Sequence, residues 1–250
     1  WLTHMKGYNF NWRYLICISL VSAMGGLLFG YDFVVIGGAK PFYEPFFGIT
    51  NHAFLQGWAM SCALVGCLAG AVISGSLSDR LGRKKLLIVA AGLFIAASIG
   101  TGAARSFNLF VLFRILGGIG IGLASNLSPM YIAEITPGTV RGRFVSINQL
   151  TIVIGILAAQ LINWRIARPV PPGATTSDIL TSWNGQTGWR WMFYACTIPA
   201  GLFFILMWFV PESPRWLAQN IDNHSKSKKV LSKIGVIDYA TSEFSSIEKS

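Results

Sequence analysis

Six long apolar stretches alternate with short polar segments along the chain. A helix needs about 20 mostly apolar residues to cross the hydrocarbon core of a bilayer, and each stretch is close to that length. The predicted spans are residues 14–37, 53–74, 86–104, 109–131, 144–164 and 189–210. The pattern therefore predicts an all-α membrane protein with a six-transmembrane-helix bundle over residues 1–210. Short cytoplasmic helices are expected in the polar segment 211–250.

Composition and charge agree with this pattern. Of the 250 residues, 53% are hydrophobic and 12% are charged, and the net charge is +10. If both termini lie in the cytoplasm, the cytoplasmic segments carry 14 Lys and Arg residues and the outer loops carry 5. Because basic residues are retained on the cytoplasmic side of a membrane, this asymmetry predicts that orientation. It also explains the basic charge without a nucleic-acid partner.

Two outer segments are predicted to be irregular. The loops at 38–52 and 165–188 contain prolines, and the second is also rich in Gly, Ser and Thr, so we expect it to be a flexible surface segment. Trp189 and Trp191 follow this second loop and are predicted to lie in the interfacial aromatic belt.

Metal and enzyme chemistry find little support in the sequence. The 4 cysteines all fall inside predicted spans without a CxxC pair, so we expect them to pack as small apolar residues. The 3 histidines are scattered near termini and loops, and there is no HExxH, GxSxG or phosphate-binding loop. We therefore predict that the protein is not an enzyme and has neither a metal site nor a cofactor.

Several predicted spans carry small residues four positions apart. Such pairs let helix backbones approach closely in lipid, where hydrophobic burial does not drive helix association. The pairs are Gly26 with Gly30, Gly66 with Gly70, and Gly118 with Gly122. They indicate a packed bundle and carry no functional information.

Two ionisable residues lie inside predicted spans, Asp32 in the first and Arg114 in the fourth. A charge in hydrocarbon costs at least about 2.5 kcal/mol, so such residues normally face the bundle interior and pair. Each lies about five residues from the outer end of its span, which places both roughly 7 to 8 Å below that boundary. Equal depths allow an ion pair, which is either a proton site or a static salt bridge.

The segment between the second and third spans, residues 75–85, reads Gly-Ser-Leu-Ser-Asp-Arg-Leu-Gly-Arg-Lys-Lys. Gly82 allows a tight turn, and Asp79 can cap a helix or accept a hydrogen bond from arginine. The basic cluster can bind helix ends or anionic lipid headgroups. On charge alone the segment is equally well a solvated loop, but its order, G-x-x-x-D-R-x-G-R-K-K, resembles the cytoplasmic signature of the major facilitator superfamily.

Three further segments extend this resemblance: Gly30-Tyr31-Asp32, the stretch from Arg114 to Arg143, and Pro211-Glu-Ser-Pro-Arg-Trp-Leu217. As an ordered set over nearly the whole chain, they resemble the sugar porter family, and within it the bacterial xylose–proton symporters. The resemblance implies one half of a major facilitator fold, a 3+3 inverted repeat, in a bacterial inner membrane. Because family members have twelve spans, it also implies that the C-terminal six-helix half is absent from this chain. The implied partners are a sugar, protons, membrane lipids and that missing half.

The resemblance assigns roles to individual residues. Asp32, balanced against Arg114, is similar to the proton-coupling carboxylate of the family, whereas passive members carry asparagine there. Gln149 ends a Ser-x-Asn-Gln segment in which the family places a sugar-contacting glutamine. Phe29 and Asn148 are further sugar-site candidates, although helix packing explains both residues as well.

Charged residues and glycines at the cytoplasmic ends of the spans form a predicted conformational set. Ion pairs among them would hold the bundle closed toward the cytoplasm, unless each charge is individually solvated. The set comprises Gly75, Asp79, Arg80, Gly82, Arg83, Glu134, Arg141, Glu212 and Arg215.

These residues predict a secondary active transporter for proton-coupled uptake of a pentose or hexose by alternating access, present here as its N-terminal half. Two alternatives stay open at this point. One is a truncated or non-transporting half-transporter, and the other is a proton-independent sugar uniporter.

Overall fold

Helices make up most of the described chain. The computed structural model describes residues 10–219, 223–235, 241 and 244–245. The helices are α1 (Trp12–Phe46), α2 (Ala53–Leu81), α3 (Arg83–Ala103), α4 (Phe107–Ile135), α5 (Arg141–Ile166), α6 (Thr176–Thr181), α7 (Trp189–Ala195), α8 (Thr197–Phe209), α9 (Pro214–Ala218) and α10 (His224–Ile234). A π-helical turn, Asn184–Gly188, precedes α7. Six segments are long and apolar enough to cross a membrane, namely α1 to α5 and Asn184–Ala218, which confirms the predicted six-helix bundle.

The C-terminal end of α1 differs from the prediction. The helix continues through Pro41 and Pro45 to Phe46, so the loop after the first span is 47–52 and not 38–52. Proline weakens a helix interior because it has no N–H to donate. Aromatic packing of this end outweighs that cost, since Tyr43 is fully buried within it.

This longer α1 also changes the depth estimate for the ion pair. Asp32 lies about 14 residues, or roughly 21 Å, from the end of α1, whereas Arg114 lies about seven residues, or roughly 10 Å, from the start of α4. The predicted equal distances from the helix ends are therefore wrong. The two side chains still meet, because Arg114 Nη1 lies 2.5 Å from Asp32 Oδ1.

The helices pair in a repeated arrangement. α1 packs along α5, and α2 packs along α4, which is the same contact if the first three spans are matched to the next three. Both contacts are close: a Cβ on Gly30 would overlap the carbonyl oxygen of Ile152, and one on Gly118 would overlap that of Ala63. The predicted small-residue pairs thus lie where helix backbones touch.

The segment 165–188 between the fifth and sixth spans is more regular than predicted. It contains α6, whose first turn is closed by a reciprocal capping box between Thr175 and Asp178. The Asn184 side chain accepts from the backbone N–H of Arg168 at 2.9 Å and donates to its carbonyl at 2.8 Å. These bonds hold a segment whose composition alone is typical of an irregular loop.

Trp189 is fully buried inside the bundle, so its predicted place in the interfacial belt is wrong. Its ring packs against Phe46, Phe47 and Phe110 at centroid distances of 5.5 to 6.2 Å. Its indole N–H donates to the carbonyl of Gly185 at 3.0 Å, which satisfies the one polar group of the ring.

Two short helices, α9 and α10, follow the sixth span within the segment predicted as a cytoplasmic linker. The Ser227 hydroxyl donates to the carbonyl of Pro214 at 2.8 Å, which ties α10 to α9. The Asn11 N–H donates to the carbonyl of Ile234 at 2.8 Å, which ties α10 to the start of α1. Residues 220–222, 236–240, 242–243 and 246–250 of that segment lie outside the described residues.

Candidate functional site

An ion pair between α1 and α4 lies inside the bundle. Arg114 Nη1 donates to Asp32 Oδ1 at 2.5 Å. Asp32 is 8% exposed and Arg114 is 4% exposed, so water screens the attraction only weakly. The guanidinium carbon of Arg114 lies 5.9 Å from the ring centroid of Phe193 on α7, which adds a cation–π contact.

Protein groups satisfy only part of the Arg114 guanidinium. This group has five N–H donors, and its buried Nε has no hydrogen-bond partner among the described residues. Among the described residues, the carboxylate of Asp32 is its one acidic partner. The charge of Arg114 is therefore compensated mainly by a single carboxylate.

A cavity of about 290 Å³ borders this ion pair. Its walls come from α1, α2 and α4, and they are mostly apolar. Phe29 lines it and stacks on Phe33 with ring centroids 6.4 Å apart. An aromatic wall beside a few polar groups is typical of a small-molecule site.

The two adjacent amides of α5 face different surroundings. Gln149 is exposed, whereas Asn148 is 5% exposed and its Oδ1 faces Gly26 of α1. One turn further along α5, the Thr151 hydroxyl donates to the carbonyl of Ala23 at 2.7 Å in the same contact. Asn148 thus lies in the α1–α5 packing, and only Gln149 presents its amide outward. Within the described part of the chain, neither amide lines the cavity beside Asp32.

A second charged cluster, the Arg83 network, lies where α2 ends and α3 begins. Buried Arg83 contacts Glu134 of α4 at 3.1 Å and Asp79 of α2 at 3.2 Å. Its Nη1 also donates to the carbonyl of Ser78 at 3.1 Å. The second carboxylate oxygen of Glu134 accepts from the Ser213 hydroxyl at 2.5 Å.

Glu212 joins the Arg83 network through the backbone. Its Oε1 accepts from the N–H groups of Arg83 and Lys84 at 3.0 Å each, and from that of Ser213 at 2.9 Å. It thereby caps the first turn of α3, whose donors have no partner within the helix. Gly82 is required beside it, because its φ is +93° and a Cβ would overlap the Glu212 carboxylate.

Other members of the predicted conformational set lie apart from this network. Arg80 and Arg215 are exposed, and none of Arg80, Arg141 and Arg215 forms an ion pair within the described residues. Asp79 lies in the last turn of α2 and Arg83 is the first residue of α3, so their contact spans the turn at Gly82. A Cβ on Gly75 would meet nothing within 4 Å, so no packing contact there requires glycine.

Sequence reasoning missed two residues of this region. Ser213 bonds Glu134, and the hydroxyl of fully buried Tyr131 donates to the carbonyl of Pro211 at 2.8 Å. Both lie inside the motifs that carry the family resemblance. The signal that could have identified them is a hydroxyl group close in sequence to the charged residues of the motifs.

The six spans and their repeated helix contacts have the architecture of one half of a major facilitator fold. The family model described as "Sugar (and other) transporter" matches residues 18–250, so the chain belongs to that family, whose members are transporters and not enzymes. The chain is therefore a multi-pass membrane protein with six candidate spans.

Two curated relatives illustrate the similarity. The arabinose-proton symporter of Bacillus subtilis (strain 168) is 38% identical over 237 residues, which cover 95% of this chain and 48% of that protein. The D-xylose-proton symporter of Escherichia coli (strain K12) is 39% identical over 250 residues, which cover 90% of this chain and 49% of that protein. The chain spans about half the length of the curated relatives it matches.

Solved structures give the same result for the fold. The proton:xylose symporter XylE bound to 6-bromo-6-deoxy-D-glucose matches with a TM-score of 0.86 and 37% identity, over 96% of this chain and 54% of that chain. The inward open conformation of XylE from E. coli matches with a TM-score of 0.82, over 94% of this chain and 56% of that chain. These matches confirm the predicted architecture, one half of a major facilitator fold.

Proposed function

We propose that this bundle takes part in proton-coupled uptake of a monosaccharide by alternating access. The observation that carries the proposal is the buried Asp32–Arg114 pair beside an aromatic cavity. The similarity to arabinose-, xylose- and galactose-proton symporters supports both the sugar and the proton.

The ion pair supplies the coupling step. A proton taken up by Asp32 neutralises the carboxylate and weakens its hold on Arg114, so that α1 and α4 can rearrange around bound sugar. Release of that proton on the other side of the membrane restores the charge and resets the pair. A carboxylate that alternates between two environments in this way links sugar movement to the proton gradient.

The sugar site is shared with a second six-helix bundle. Gln149 contributes an exposed amide that both donates to and accepts from sugar hydroxyls, and Phe29 contributes an aromatic wall. Asn148 acts less directly, because its packing against α1 sets the orientation of α5. The remaining contacts come from the second bundle, in keeping with the half-length match to the relatives.

The Arg83 network acts as a latch at the cytoplasmic end of the bundle. It joins α2, α3 and α4 to the segment after the sixth span through Glu134, Ser213 and Glu212. Such multiple contacts stabilise one arrangement of the bundle until the transport cycle breaks them together.

Both termini lie in the cytoplasm, and the membrane is a bacterial inner membrane. The uneven distribution of basic residues supports this orientation. A Ser177→Cys variant tests it, because Ser177 is exposed on α6 in the longest outer loop. An impermeant thiol reagent is expected to label it in intact cells, and labelling only after lysis would reverse the orientation.

Sugar uptake tests the transport proposal. Proteoliposomes that hold this bundle with the second bundle are expected to concentrate radiolabelled pentose or hexose only under an imposed inward proton gradient. Uptake that merely equilibrates, with or without the gradient, would indicate a uniporter. Calorimetry on the 250-residue chain alone is expected to give very weak sugar binding, and tight binding would contradict the shared site.

A further inference from the structure

A large cavity lies at the end of the bundle that carries α9 and α10. Its volume is about 670 Å³, more than twice that of the cavity beside Asp32. Its walls are the first turn of α3, the last turn of α8, α9 and the first turn of α10. The lining residues that matter are three lysines, two tryptophans and one glutamate: Lys84, Lys85, Lys226, Trp208, Trp216 and Glu212.

Positive charge prevails in this cavity. The Lys84 ammonium donates to the carbonyl of Trp208 at 2.8 Å, and that of Lys226 donates to the amide oxygen of Asn223 at 3.1 Å. Both acceptors are neutral, and Lys85 is exposed. None of the three lysines forms an ion pair in the part of the chain that the structure describes.

Among the described residues the lining has one carboxylate, Glu212, which offsets only part of this positive charge. Glu212 Oε1 accepts three backbone N–H groups at the start of α3 and at Ser213. It is committed to capping the helix. The three lysines against one carboxylate leave an excess of positive charge beside a concave surface.

The ends of two spans place the cavity at the level of the lipid headgroups. α3 begins and α8 ends at its rim, and the adjoining face of α8 is apolar and directed outward: Ile205 is 57% exposed, Trp208 60% and Phe209 80%. Tryptophan is typical of the membrane interface, and lysines there attract anionic headgroups. The cavity therefore combines a basic pocket with an adjoining surface for acyl chains.

We propose that this cavity binds the phosphate of an anionic phospholipid, with the acyl chains along the exposed apolar face of α8. Lysine ammonium groups form charge-assisted hydrogen bonds with phosphate oxygens. A free phosphate would use the lysines but would leave the apolar face of α8 unused, which favours the lipid. The bound headgroup would bridge α3, α8 and α10, and so hold the two cytoplasmic helices against the bundle.

Native mass spectrometry of the 250-residue chain in detergent tests this proposal. Titration with phosphatidylglycerol is expected to give saturable binding, and phosphatidylcholine is expected to bind much more weakly. The double variant Lys85→Gln with Lys226→Gln should lower the phosphatidylglycerol affinity roughly 30-fold, the loss expected when two basic residues at an anionic surface are removed. Lys85→Arg with Lys226→Arg should retain the affinity, because the charge is kept.

The matched control is Lys229→Gln with Lys233→Gln, which removes the same charge from exposed positions of α10 outside the cavity lining. This pair should leave the affinity unchanged, and inorganic phosphate at the same concentration as the lipid should not displace it. Equal loss in both glutamine pairs, equal binding of phosphatidylcholine, or no saturable binding would overturn the proposal. Displacement by inorganic phosphate at that equal concentration would also overturn it, since the apolar face of α8 would then add nothing to binding.

Discussion

The two charged clusters of this bundle are built in opposite ways. In the Asp32–Arg114 pair, one arginine is held by one carboxylate and its Nε has no partner among the described residues. In the Arg83 network, the guanidinium contacts two carboxylates and a backbone carbonyl, and both oxygens of Glu134 are engaged. Both arginines are buried, so burial does not separate the clusters; the number of partners does.

This difference teaches which cluster can switch. In the proposed mechanism, protonation of Asp32 removes the one acidic partner that Arg114 has among the described residues, so one proton changes the whole interaction. Loss of one partner from the Arg83 network leaves the others in place, and a network of this kind stabilises a single arrangement. Sparse pairing suits a proton-coupled step, and dense pairing suits a latch.

The largest expected effect comes from Asp32→Asn. Because asparagine carries no charge to gain or lose, the variant should abolish gradient-driven accumulation of sugar and leave sugar binding largely intact. Radiolabelled uptake into proteoliposomes with and without a pH gradient measures this. The control, Asp178→Asn, makes the same chemical change at an exposed carboxylate of α6 outside both clusters and should still accumulate sugar. If Asp32→Asn still concentrates sugar, the proton site lies elsewhere.

Arg83→Met should lower the free energy of unfolding by about 3 kcal/mol, because it leaves the carboxylate of Glu134 without its cation. Denaturant unfolding of the detergent-solubilised chain measures this loss. Arg80→Met is the matched control: Arg80 is exposed and unpaired within the described residues, so its removal should change the free energy by less than about 0.5 kcal/mol. Equal losses at both positions would mean that the network does not stabilise the bundle.

Two buried tyrosines, one beside each cluster, allow the same comparison through single hydrogen bonds. The Tyr131 hydroxyl donates at 2.8 Å to Pro211, next to the Arg83 network, whereas Tyr31, beside Asp32, donates at 3.5 Å to Met192. Tyr131→Phe should lower the free energy of unfolding by about 1 kcal/mol, and Tyr31→Phe by less, since a long hydrogen bond contributes little. The same denaturant measurement decides, and a larger loss for Tyr31→Phe would reverse the ranking of the two regions.

The smallest effect is expected at the exposed edge of the Arg83 network. Asp79→Asn should cost less than about 1 kcal/mol, because its carboxylate is largely solvated and its attraction to Arg83 is screened. The cost should shrink further as salt is added. In the Arg83→Met background, Asp79→Asn should cause no further loss of stability. A loss that is independent of salt would show that Asp79 is buried in solution.

Local signals were sufficient for part of the site. Asp32 and Arg114 were recognisable because charged residues inside apolar spans are rare. Arg83, Glu134 and Glu212 were recognisable because they stand in ordered motifs. Their hydrogen-bond partners could not be predicted from the sequence. Glu212 bonds to the N–H groups of residues more than a hundred positions earlier, and no local pattern specifies that distance along the chain.

The sequence by itself determined the number of spans and the family. An apolar run of about 20 residues has essentially one solution in lipid, a helix whose backbone hydrogen bonds are satisfied internally. Only the tertiary structure decided where α1 ends, that Trp189 is buried and that Asn148 faces α1. Each of these outcomes depends on side chains from distant helices: aromatic packing outweighs two prolines, and a glycine on α1 admits an amide from α5. Such contacts arise when the helices assemble, so they cannot be deduced from residues that are neighbours in the chain.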